Sequence, residues 1–106
     1  MIQNILKPGE DVLYLTTGMD EEGPDRKVIM VTDQRVVIYS KTDGGGYQEF
    51  PYDKIASVQH KAGVSLGEIT ISAGPATKKI INVPKAEVLE VVKLIKERLP
   101  ITAGGV

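Results

Sequence analysis

The stretch Lys27-Val28-Ile29-Met30-Val31-Thr32, then Asp33-Gln34, then Arg35-Val36-Val37-Ile38-Tyr39-Ser40-Lys41, decides the fold. Each run is rich in β-branched and aromatic residues, which suit a pleated surface. The two polar residues between them leave room only for a tight turn. This predicts an antiparallel hairpin. The rest of the chain is read outward from it.

Upstream, Asp11 to Thr17 reads as a first strand centred on Val12-Leu13-Tyr14-Leu15. Ile2 to Leu6 can form one helical turn before Pro8-Gly9 breaks it. Between the first strand and the hairpin, Met19 to Asp25 reads as an acidic loop containing Gly23-Pro24. Downstream, Gly44-Gly45-Gly46 supplies turn freedom before a strand at Tyr47 to Phe50. Pro51-Tyr52-Asp53-Lys54 reads as a turn or short helix, and Ile55 to Lys61 as a fifth strand. In Gly67 to Ser72, Ile69 and Ile71 alternate with Glu68, Thr70 and Ser72, the period of a half-buried strand. After a turn at Gly74-Pro75, Thr77 to Asn82 makes a seventh.

The period then changes. Val88, Val91, Val92, Ile95 and Leu99 recur at helical spacing, with Glu90, Lys93 and Glu97 opposite. Pro84 suits a first helical position, Lys96 and Arg98 complement the negative end of the dipole, and Pro100 stops the helix. These elements predict a mainly β (α+β) fold. It is a seven-stranded antiparallel barrel or sandwich capped by one C-terminal helix. One domain spans 1–100, and residues 101–106 form a flexible tail.

That order is the order of a pleckstrin-homology (PH) domain. Leu6-Lys7-Pro8-Gly9-Glu10, the hairpin Val31 to Ser40, Pro51-Tyr52-Asp53-Lys54-Ile55 and Asn82-Val83-Pro84-Lys85 together resemble bacterial PH-like domains of the YokE type. The hairpin is also similar to that of GRAM domains. The resemblance implies a bacterial or phage interaction module without catalytic chemistry. It leaves the ligand open, because one fold serves many functions.

Composition narrows the classes. Thirteen basic residues against fourteen acidic ones give a net charge of −1. Lys and Arg are interleaved with acids, so no basic face favours nucleic acid through counterion release. There are no cysteines, hence no disulfides, thiolate metal sites or cysteine nucleophiles. The N-terminus lacks a charged and then apolar leader, and no apolar run approaches the roughly 20 residues of a membrane span. These features lead to the expectation of a soluble, cytoplasmic protein.

Individual motifs support no catalytic site and no cofactor. Gly63-Val64-Ser65-Leu66-Gly67 matches the G-x-S-x-G pattern of serine hydrolases. That motif needs a strand–turn–helix elbow with its histidine later in the chain. Here a strand follows, and the one histidine, His60, comes before. Gly44-Gly45-Gly46 lacks the third glycine and the following helix of a dinucleotide site. His60 has no second histidine or cysteine to complete a transition-metal site. Asp20, Glu21, Glu22 and Asp25 lack the ligand spacing of a calcium loop. Against Arg26 and Lys27 these four acids also oppose a phosphoinositide at the first strand–loop–strand, where the family resemblance implies headgroup binding.

What remains is surface. Leu89 and Leu94 flank the helical stripe and are the candidate partner-binding residues, and open edge strands offer association by strand addition. The reading is therefore protein–protein contact or self-association. The alternative is an anionic membrane surface met through Lys61, Lys78, Lys79 and Arg35. A small-ligand or enzyme role at the barrel mouth ranks last.

Overall fold

A computed structural model describes residues 5–21, 23, 25–40 and 46–99. Seven strands form one antiparallel sheet: β1 (Val12–Asp20), β2 (Arg26–Thr32), β3 (Arg35–Ser40), β4 (Tyr47–Pro51), β5 (Ser57–Ala62), β6 (Leu66–Ala73) and β7 (Ala76–Pro84). Their spatial order is β4-β3-β2-β1-β7-β6-β5, and helix α1 (Lys85–Arg98) follows β7. A 3-10 turn at Tyr52–Lys54 joins β4 to β5. The expected helical turn at Ile2–Leu6 lies mostly outside the described residues. So do the Gly44-Gly45-Gly46 turn, except Gly46, and the tail 101–106.

The hairpin forms as its sequence predicts, with Val31 opposite Val36 and Ile29 opposite Ile38. Those four residues face the core, together with Phe50, Ile55, Val58, Ile69, Ile71, Ile80 and Val83. Val88, Val91, Val92 and Ile95 of α1 fill the same core and Leu99 packs against it, so the predicted stripe does seal the sheet. Burying each such side chain stabilises the fold by about 1.5–3 kcal/mol.

Three expectations need correction. β1 runs three residues further than expected, through Gly18-Met19-Asp20, which shortens the acidic loop. The reason is a strand crossing: Met19 pairs with Ile81 and Asp20 with Ile80. A Cβ on Gly18 would lie 2.5 Å from Ile80 Cγ2 and 2.7 Å from the Ile81 carbonyl oxygen. Only glycine permits β1 to approach β7 this closely. Second, β7 extends to Pro84, with an irregularity opposite Gly67–Ile69 and Asn82 at φ 57°. Asparagine tolerates that left-handed backbone better than most residues, and the bend carries the chain from sheet to helix. Third, Pro84 is not the first helical residue. It is extended (φ −54°, ψ 135°) and caps the helix from outside.

Candidate functional site

A buried polar cluster lies beside the β2–β3 turn. Arg35 is 2% exposed. Its Nε donates to Glu10 Oε2 at 2.8 Å and its Nη2 to Glu10 Oε1 at 3.0 Å, the paired geometry a guanidinium and a carboxylate favour. Nη1 reaches Glu49 Oε1 at 2.9 Å, and Nη2 also donates to the Ile5 carbonyl at 2.7 Å. Thr32 Oγ1 donates to Glu10 Oε2, while the Tyr52 hydroxyl donates to the Thr32 carbonyl. Asp33 accepts the Asp11 N–H at 3.0 Å.

Hydrogen bonding from Arg35 is the main reason the Glu10 carboxyl is lowered to about 2, burial acting in the opposite sense. Arg35 is raised, first by Glu10. Burial pushes Tyr52 up to about 12. The buried side-chain donors and acceptors of this cluster have protein partners, so it ties the segment Ile5–Asp11 to the sheet and leaves the Arg35 guanidinium nothing to offer a ligand. Of the four cations expected to meet a lipid surface, Arg35 is therefore unavailable. The cause is the need to pair a buried charge.

Two more of those cations are also engaged. Lys78 meets Asp20 at 2.8 Å, and Lys79 bridges Glu21 at 3.4 Å and Glu68 at 3.3 Å. Asp20, Glu21, Lys78 and Lys79 line an open depression of about 390 Å³ with Gln48 and Thr77, at the end of the barrel where β1 turns into β2. Lys61 makes no ion pair among the described residues.

His60 and Ser65 lie on different surfaces. His60 lines a shallow groove of about 470 Å³ on the β5–β6–β7 surface with Gln59, Lys61, Glu68, Thr70 and Lys79. Ser65 does not line that groove. It sits on the exposed β5–β6 turn, and its carbonyl accepts the Lys85 N–H at 3.0 Å. No group of three or more His, Asp or Glu able to hold a metal occurs among the described residues.

The apolar candidates divide. Leu94 is half-buried and packs against the core, whereas Leu89 is 51% exposed. Five residues of helix turn through 500°, so the two side chains point about 140° apart. Thr16 on β1 donates to the Glu87 carboxylate, which places Glu87 on the β1 side of the helix. Leu89, two residues on and about 200° round, lies on the other flank, toward β5.

A second apolar surface was missed. On β1, Leu13 and Leu15 point away from Tyr14, Thr16 and Gly18 and are exposed, Leu15 at 44%. Leu15 stands opposite Met30, and Met30 opposite Val37. Beside them Val28 pairs with Tyr39, and Tyr39 with Tyr47. The outer face of β1–β4 is thus largely apolar, bounded by Thr17 on β1 and Glu49 on β4; Met30 and Val37 are buried within it, and Leu13, Leu15 and Tyr47 are open to solvent. The signal was present as unbroken apolar runs in β2 and β3, which strands apolar on both faces produce.

The family assignment follows from the same chain. The family model for the bacterial PH domain matches residues 6–97, nearly all of the described fold. The chain belongs to the bacterial PH domain family. No curated protein matches the sequence. The family indicates an interaction module, and PH-like domains are generally non-catalytic. No helix among the described residues of this PH domain is long and apolar enough to cross a membrane.

Proposed function

We propose that this bacterial PH domain is a non-enzymatic module that acts in the cytoplasm by protein–protein contact or self-association. The observation that carries the reading is the apolar outer face of β1–β4, where Leu13, Leu15 and Tyr47 are exposed. Exposed leucines on adjacent alternating positions of one strand mark a contact surface when a contiguous apolar sheet lies beneath them. Charge supports the same reading, because Arg35, Lys78 and Lys79 are all paired within the fold. Leu89 and Leu94 are secondary contacts in this reading, each on its own flank of α1. Within the family we place the chain with the YokE-type and GRAM-like branch, on the motifs around Glu10, Arg35, Tyr52 and Pro84.

The test combines sedimentation velocity over a wide concentration range with affinity capture from the native host. Leu13→Asp/Leu15→Asp should abolish both concentration-dependent association and recovery of any captured protein, with the fold unchanged by circular dichroism. Association or capture equal to wild type in that variant would refute the outer face as the contact. A protein that is monomeric throughout and captures nothing would refute the function.

A further inference from the structure

We propose that the β5–β6 turn and the start of α1 form a membrane-contact tip that enters an anionic bilayer surface. Val64, at the apex of this turn, is 97% exposed; Leu66 at the start of β6 and Leu89 on α1 are exposed as well. The backbone ties the turn to the start of α1. Gly63 N–H bonds to the Leu66 carbonyl at 2.7 Å, Lys85 N–H bonds to the Ser65 carbonyl, and Leu66 pairs with Pro84. Gly67 brings β6 against the helix: a Cβ there would lie 2.9 Å from Val88 Cγ2 and 2.5 Å from the Lys61 carbonyl oxygen. The tip is therefore a rigid projection.

Lys61 and Lys85 flank the turn and make no ion pair among the described residues. Of the nearby acids, Glu68 stands across from Lys61 and pairs with Lys79 at 3.3 Å, and Glu87 accepts from the Thr16 hydroxyl. The positive end of the helix dipole points the same way. An apolar projection within a collar of lysines matches the chemistry of an interface in which acyl chains lie beneath anionic headgroups. The tip stands at the end of the barrel opposite the β1–β2 turn. The two strand ends involved, Leu66 and Pro84, pair at the pole from which β1 starts. It is thus separate from the depression lined by Asp20 and Lys78. Failure of this proposal would leave the protein-contact reading standing.

The chain has no tryptophan, so Val64→Trp introduces a single fluorescent reporter. Its emission should shift to the blue with phosphatidylcholine–phosphatidylglycerol vesicles. The shift should be absent with pure phosphatidylcholine and reversed by high salt. Flotation of the wild-type protein with the same vesicles should fall about fivefold for each of Lys61→Gln and Lys85→Gln, the equivalent of about 1 kcal/mol per lysine. Val64→Asp should abolish it. Any of three results would overturn the proposal: unchanged emission on adding anionic vesicles, flotation indifferent to phosphatidylglycerol, or lysine variants that bind like wild type. A blue shift induced by poly-glutamate and not by vesicles would also overturn it, assigning the tip to an acidic polypeptide.

Discussion

The Arg35 cluster and the β5–β6 turn lie toward one end of the same barrel and treat charge in opposite ways. At Arg35 a guanidinium is withdrawn from water and matched by Glu10, Glu49 and the Ile5 carbonyl, with Thr32 and Tyr52 completing the network. At the turn, Lys61 and Lys85 remain in solvent beside an exposed Val64. The first arrangement holds the fold and has no capacity left for a ligand. The second contributes little to folding and leaves its surface available. A cation's position along the chain therefore says little about its role, which depends on the partner that folding brings to it.

The largest expected effect comes from breaking the buried side of this contrast. Arg35→Ala or Glu10→Gln leaves a buried group without its partner and should lower stability by about 3–5 kcal/mol, read by urea denaturation. The double variant Glu10→Leu/Arg35→Met removes both charges at once and should lose clearly less than the two single losses combined. Strict additivity would mean that the pair is not coupled.

Next in size is the backbone crossing that brings β1 against β7. Gly18→Val places atoms within 2.5–2.8 Å of Ile80, Ile81 and Val83. It should cost about 1–3 kcal/mol or more, seen as a fall in melting temperature. A variant as stable as wild type would show that the crossing is looser than described here.

The same cluster sets the response to acid. The Glu10 pKa is held at about 2 in the folded chain, against 4.5 for an ordinary glutamate. Its contribution is full above the unfolded value and is lost as pH falls from about 4.5 toward 2. Linkage puts the loss on the order of 2–3 kcal/mol. Denaturation midpoints measured across that range should fall in wild type, and the slope should be shallower in Glu10→Gln. The smallest effect belongs to the exposed side: Leu15→Asp should change stability by no more than about 0.5 kcal/mol, measured by the same melts, while weakening association.

Much of this fold was legible because periodicity reports burial directly. Ile69 and Ile71 showed a strand with one wet face, and Val88 to Leu99 showed a helix with one dry stripe. Both patterns depend only on which way successive side chains point. The crossing at Gly18 was not legible, because a glycine beside a Met-Asp pair reads equally well as the start of a loop. The fate of Arg35 was not legible either. Its main partner, Glu10, is 25 residues away in sequence, and no local pattern links the two. The outer apolar face was half visible. The runs Val28 to Val31 and Val36 to Ile38 were read for β propensity, although strands with one wet face would have alternated. The split between Leu89 and Leu94 follows from helix geometry, but which flank is covered depends on the position of β1.

The central claim is that contact occurs on the outer face of β1–β4 and not at the charged barrel mouth. Backbone amide shifts followed by NMR, as the protein is concentrated or titrated with a captured partner, test it most directly. The account predicts changes confined to the neighbourhood of Leu13, Leu15, Tyr39 and Tyr47. Changes centred on Asp20, Lys78 and Lys79, with the β1 leucines unmoved, would contradict it.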